Sequence, residues 1–159
     1  MSQIASFTVL NVSDVPNLGF WSKPKPRLFR KPESRFDELL RPHVLREQVF
    51  EEADGVYIGL VFAWLESLDN RLAKEADPVI GSVRKNLGGS HWLMEFPDRR
   101  LVTLISKPLA QTEWLTFLHK INSECGSAFD WNSFDIARLF LLDQLSELKP
   151  TEALLISIG

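Results

Sequence analysis

The sequence predicts an α+β fold, a small mixed or antiparallel sheet covered by about four to five helices. Three observations predict it. Short runs rich in β-branched and aliphatic residues sit near both ends, at Ile4–Val12 and Ala153–Ile158. From Val56 to Leu65 every residue is apolar or glycine, a core element with no face to give to water. Much of the remaining chain shows the 3.6-residue period of amphipathic helices, broken by proline and glycine.

The bulk numbers narrow the class. A length of 159 residues suits one domain over residues 1–159. Hydrophobic content of 45% and charged content of 25% describe a globular chain, not a disordered one. The net charge of −3 gives the whole molecule no strong drive toward nucleic acid or anionic lipid. A single cysteine excludes an intrachain disulfide. With no secretion signal in Met1–Phe7 and no membrane span, the expected setting is reducing and cytoplasmic.

Taken in order, Ile4–Val12 reads as a strand with one apolar face (Ala5, Phe7, Val9) and one mixed face (Ile4, Ser6, Thr8, Leu10). Ser13–Pro16 supplies cap and turn chemistry for a single helical turn before Gly19. Phe20–Pro32 carries Pro24, Pro26 and Pro32, which remove backbone donors and favour extended geometry, so a loop is expected. Glu33–Leu40 reads as a short helix capped near Ser34. His43–Ala53 places Val44, Leu45, Val49 and Phe50 on a helical face.

Asp54 is a suitable N-cap for the core helix, expected from Asp54 to about Leu72. Gly55, Gly59 and Ala63 recur every four residues along it, a stripe of minimal side chains that admits a close neighbour. On that reading Gly59→Leu is severely destabilising. Asp77-Pro78 opens and Gly88 closes a further helix, with Val79, Val83 and Leu87 inward. Ser90–Phe96 and Arg100–Ser106 read as two strands of a central hairpin joined through Pro97-Asp98-Arg99. Gln111–Cys125 is an amphipathic helix with Trp114, Leu118, Ile121 and Cys125 on its inner stripe. Asp130–Leu148 is another, stopped by Pro150. The apolar run Ala153–Ile158 suits an interior strand, neighbour to the first.

Chemistry is sparse in the sequence. His43, His91 and His119 are isolated from one another and from cysteine, so no metal site is expected. Gly88-Gly-Ser-His91 lacks a nucleophile elbow and reads as a helix-to-strand turn. Glu51, Glu52 and Asp54, like Asp130 and Asp135, stand where carboxylates complement a helix N-terminus. No catalytic residue, metal ligand or cofactor site is assigned. The strongest functional signal is the basic, aromatic stretch containing Trp21, Lys23, Lys25, Arg27, Phe29, Arg30 and Lys31. The first fifty residues hold eight basic and five acidic side chains, a net of +3 that leaves −6 on the rest. Arginine and aromatic residues are enriched at protein interfaces, and a basic patch steers acidic partners. The leading expectation is a non-enzymatic protein-interaction module. The alternative is nucleic-acid binding, with Trp21 and Phe29 stacking on bases. Trp21 and Trp131 are the tryptophans expected in loops.

The two ends, Met-Ser-Gln-Ile-Ala-Ser-Phe7 and Ala-Leu-Leu-Ile-Ser-Ile-Gly159, resemble small bacterial proteins of the YfbM-like group. The resemblance covers only these patches, whose residues are structural, and it implies no catalytic residue. Small bacterial domains of this kind include immunity proteins, so an immunity-like role is the expectation it adds.

Overall fold

The computed structural model describes residues 3–24, 34–68, 78–106 and 111–159. In chain order its elements are β1 (Ala5–Asn11), α1 (Val15–Trp21), α2 (Phe36–Leu40), β2 (Val44–Phe50), α3 (Val56–Leu68), α4 (Pro78–Leu87), β3 (Ser90–Glu95), α5 (Arg100–Ser106), α6 (Gln111–Cys125), α7 (Trp131–Ser146) and β4 (Glu152–Ile158). The strands form one antiparallel sheet of order β2-β1-β4-β3. The first and last strands are therefore its central pair, as their apolar composition predicts. Ile4 and Gly159 extend the pairing with reciprocal backbone bonds of 3.1 and 3.2 Å.

Side chains alternate across a strand, so the sheet has two distinct faces. On one, Leu10, Ala153 and Leu155 pack against Val15, Leu18 and Trp21 of α1, Phe36 and Leu40 of α2, and Ile80 and Val83 of α4. On the other, Phe7, Val9, Leu154 and Ile156 belong to a larger core with α3, α5, α6 and α7. The fold is α+β, with helices on both faces. No helix among the described residues is long and apolar enough to cross a membrane.

The core helix is present as α3, with Tyr57, Ile58, Leu60, Val61, Phe62, Trp64 and Leu65 buried. Asp54 acts as its cap, accepting from the amide of Val56 at 3.0 Å and also from that of Gln3 at 3.1 Å. Residues 69–72 of the expected helix lie outside the described residues. The small-residue stripe meets the sheet, but its tight point is Gly55. A Cβ there would stand 2.7 Å from the Ala5 amide nitrogen. At Gly59 the nearest atom to such a Cβ is a side-chain carbon of Ile158 at 3.6 Å, ordinary contact. The constriction expected at position 59 is thus one turn earlier.

Two segments differ in kind from their sequence reading. The helix expected over His43–Ala53 is the strand β2. Half-buried Arg46 and exposed Gln48, opposite Val9 and Phe7, share a face with Phe50, which hides the alternation that marks a strand. Both find polar partners: Arg46 pairs with Glu152 at 3.3 Å, and Gln48 accepts from the amide of Gln144 at 2.6 Å. The second strand expected at Arg100–Ser106 is the helix α5, so there is no central hairpin and β3 pairs with β4 instead. A reciprocal cap explains the switch. Asp98 accepts from the amide of Glu95 while the Glu95 side chain accepts from that of Asp98. Leu101 and Ile105, four apart, are then both buried.

Smaller differences follow from packing. α1 continues through Gly19 to Trp21, because Gly19 lies against Ser82 of α4, where an added Cβ would be 3.4 Å from the serine Cβ. Cys125 is exposed, not on the buried stripe of α6. The side chain of Trp114, expected on that stripe, lies outside the described residues, as does the proposed cap Asp77. Trp131 begins α7 and stacks on Phe134 at 6.4 Å, packed on the core instead of in a loop.

Candidate interaction surface

The basic stretch lies in sequence between α1 and α2. Of its seven candidate residues, Lys25, Arg27, Phe29, Arg30 and Lys31 lie outside the described residues. Trp21 is not the exposed ring that its sequence context suggests. At position seven of α1 it turns inward, 9% exposed, with its ring 4.5 Å from that of His43. His43 in turn sits 3.2 Å from Asp14, so Trp21 ties the end of α1 to the turn before β2. The exposed aromatic is its neighbour Phe20, 69% exposed, with the Lys23 ammonium 5.7 Å from the ring centroid. Lys23 is solvent-exposed, as expected.

Between α2 and the β1–β2 side of the sheet lies a groove of about 570 Å³. Ser6 and Thr8 come from β1, and Glu47, the cross-strand partner of Thr8, from β2. Asp37 and Leu40 of α2 and Arg41, the residue that caps its end, line the opposite side by their i, i+3, i+4 spacing. Leu40 is buried and Val44 half-buried, so the groove has an apolar margin beneath its polar groups. No side-chain hydrogen bond or ion pair joins Ser6, Thr8, Asp37, Arg41 or Glu47 to another of the described residues. Thr8 is only 5% exposed, and its hydroxyl is open to solvent through the groove it lines. On the same strand as Glu47, Leu45 and Val49 are 51% and 44% exposed.

The sequence shows Ser6 and Thr8 as the mixed face of β1, but does not show what they oppose. Reading β2 as a helix removes Glu47 from beside Thr8, and a five-residue helix such as α2 leaves too short a pattern to orient Asp37 and Arg41.

A second polar cluster is structural. His91 is buried on β3, where its Nε2–H donates to the carbonyl of Gly88 at 2.8 Å. That bond fixes the tautomer, so Nδ1 accepts from the Ser157 hydroxyl at 2.9 Å. Burial lowers the His91 pKa below its ordinary value, and the nearby Arg84 guanidinium acts in the same direction against the Gly88 bond. The arrangement sits at the turn after α4, as its sequence suggests. Gly88 and Gly89 there have φ of 73° and 70°, a left-handed geometry that glycine adopts freely. Asp130 caps α7 through the Ser133 amide at 2.9 Å and accepts from Tyr57 at 2.8 Å; these two bonds lower its pKa, the capping bond most. Asp135 holds Arg138 at 2.7 Å. Among the described residues no group of three or more His, Cys, Asp or Glu side chains is placed to hold a metal ion.

No family model, no curated protein and no solved structure matches this chain.

Proposed function

We propose that this chain is a protein-interaction module, not an enzyme, and immunity-like in kind, as the resemblance of its ends to the YfbM-like group suggests. The observation that carries the reading is the surface running from the end of α1 across α2 to β2. Phe20 at the end of α1 and Leu45 and Val49 on β2 are exposed, and the groove between α2 and β2 is lined by polar groups with no side-chain partner among the described residues. Exposed apolar side chains rimmed by polar groups are the composition of a protein contact. β2 also ends the sheet, so one edge of its backbone faces away from β1.

Affinity capture from the source cell with the full chain tests this. The expected result is one partner near equal stoichiometry, lost when Phe20→Glu and Val49→Glu are combined. Recovery of no stoichiometric partner overturns the reading.

Nucleic-acid binding is supported by Lys23 above the exposed Phe20 ring. It loses Trp21 as a stacking platform, and the carboxylates of Asp37 and Glu47 on the adjoining elements oppose phosphate. Binding of single-stranded oligonucleotides that weakens steeply with salt would favour it over a protein partner.

A further inference from the structure

We propose that the protein partner docks by adding an extended segment to the open edge of β2, antiparallel and with a basic residue opposite Glu47. This rests on the interaction reading above and names how the contact is made. The ladder shows which backbone groups are free. Ile4 and Gly159 exchange both backbone bonds, and bonded pairs recur at every second residue of an antiparallel pair. Ser6, Thr8 and Leu10 therefore turn their backbone groups toward β4. Phe7 and Val9 bond Gln48 and Arg46, which leaves the N–H and C=O of Glu47 and Val49 pointing away from the sheet. Among the described residues nothing meets them. The same count leaves His91, Leu93 and Glu95 of β3 pointing outward at the opposite edge. There the His91 carbonyl accepts from Arg84 Nε at 2.8 Å, and the Glu95 amide donates to Asp98 at 2.8 Å. Side chains close one edge of the sheet at both ends; the other edge is open.

The side chains select the occupant. Glu47, Gln48 and Val49 are exposed in succession, so both faces have room for the side chains of an added strand. The bulge at Val9/Leu10 lies beyond Arg46, so Arg46–Phe50 keeps a regular register. Residues directly opposite in such a pair share a face, and opposite charges there attract. Glu47 and Val49 are thus complemented by a basic and an apolar residue two apart. A second copy of β2 cannot supply them. Antiparallel pairing sets side chains of one face opposite side chains of the same face, and Arg46 lies on the other face from Glu47 and Val49. Every register of β2 on itself leaves Glu47 without an opposite charge, so the strand comes from a different chain. Its main-chain bonds supply affinity and its alternate side chains specificity.

The test titrates the isotope-labelled full chain with acetyl-Thr-Val-Thr-Lys-Thr-amide, whose valine and lysine stand opposite Val49 and Glu47. Saturable amide shifts and slowed exchange are expected at Glu47 and Val49, with affinity near the millimolar range of a short contact. The amides of Arg46 and Gln48, already bonded to β1, are expected to keep their exchange rates. N-methylating the probe's valine and lysine removes the donors that meet β2 and is expected to weaken binding by about tenfold or more. N-methylating its central threonine, whose amide points away, is expected to leave affinity within about threefold. The probe with glutamate for lysine is expected to bind about threefold more weakly, and Glu47→Lys to reverse that preference at an unchanged melting temperature. No shift at Glu47 and Val49, equal loss from both N-methylation patterns, or a preference indifferent to Glu47→Lys overturns the proposal. Protection of the same two amides that rises with the concentration of the chain alone makes the occupant a second copy and overturns it too. Two failures remain distinct. A captured partner held equally by folded Glu47→Lys and Val49→Pro chains, the latter lacking an outward donor, removes the edge from the contact and leaves the interaction reading standing. Probe binding at the edge with no captured partner keeps the edge open to strands and removes that reading.

Discussion

At the scale of single residues, two glycines in the same helix make a controlled comparison. Gly55 lies where a Cβ would meet the backbone of Gln3–Ala5 at 2.7–2.9 Å, and backbone cannot rotate aside. Gly55→Ala is expected to destabilise by roughly 2 kcal/mol or more in urea titration. Gly59→Ala, with its nearest contact at 3.6 Å from a flexible side chain, is expected to be neutral or stabilising by up to about 1 kcal/mol. His91 gives a pH dependence with a defined sign. Its folded pKa is lowered, so the unfolded chain binds the proton more readily. Its contribution is present above the unfolded value of about 6.5 and is lost as pH falls through that value toward the folded one. Urea midpoints at pH 7.5 and 5.5 are expected to show this loss, with a smaller difference in His91→Gln. A midpoint difference unchanged by His91→Gln would assign the pH dependence to other groups. What the sequence hides at this scale is partnership: Trp21 reads as a loop residue and His43 as an isolated histidine, and only their contact shows that they join α1 to the turn before β2.

At the scale of elements, β2 and α5 explain where sequence reading stops. The long helices are legible because packing, period and caps agree: α4 matches its expected bounds at Pro78 and Leu87, and α7 has Asp130 on the amide of Ser133. β2 is illegible because the polar Arg46 and Gln48 share a face with Phe50; Arg46 Nη1 and Gln48 have partners about a hundred residues away, while Arg46 Nε and Nη2 are buried without one. α5 is illegible because Val102, Thr103 and Ile105 favour a strand, while the reciprocal Glu95–Asp98 cap opens the 3-10 turn Phe96–Arg99 that runs directly into the helix. Asp98→Ala therefore removes the accepting group for the Glu95 amide, and a cost of about 1 kcal/mol is expected by thermal unfolding. The same reasoning accounts for the groove. Its β1 half is visible as a mixed strand face, whereas its other half depends on β2 being a strand. The basic stretch stands out in sequence by its charge, whereas the described carboxylates Asp37 and Glu47 that line the groove carry the opposite sign.

At the scale of the molecule, one sheet serves two cores, and both need β1 and β4. Phe7 and Val9 face one core while Leu10 faces the other; Leu154 and Ile156 face the first while Ala153 and Leu155 face the second. Hydrogen exchange is expected to be slowest at the amides of β1 and β4 and faster in β2, which has one paired edge. Equal protection across the four strands would contradict a hierarchy set by position in the sheet. The pairing of Ala5 with Ile158 also sets a clock. A ribosome working at about 5–20 residues per second needs on the order of ten seconds between releasing these two strands. For that interval β1 can have β2 beside it but not β4, and the floor shared by both cores is half built. Contacts this distant in sequence slow closure as well. The newborn chain is thus exposed along what becomes its most protected seam.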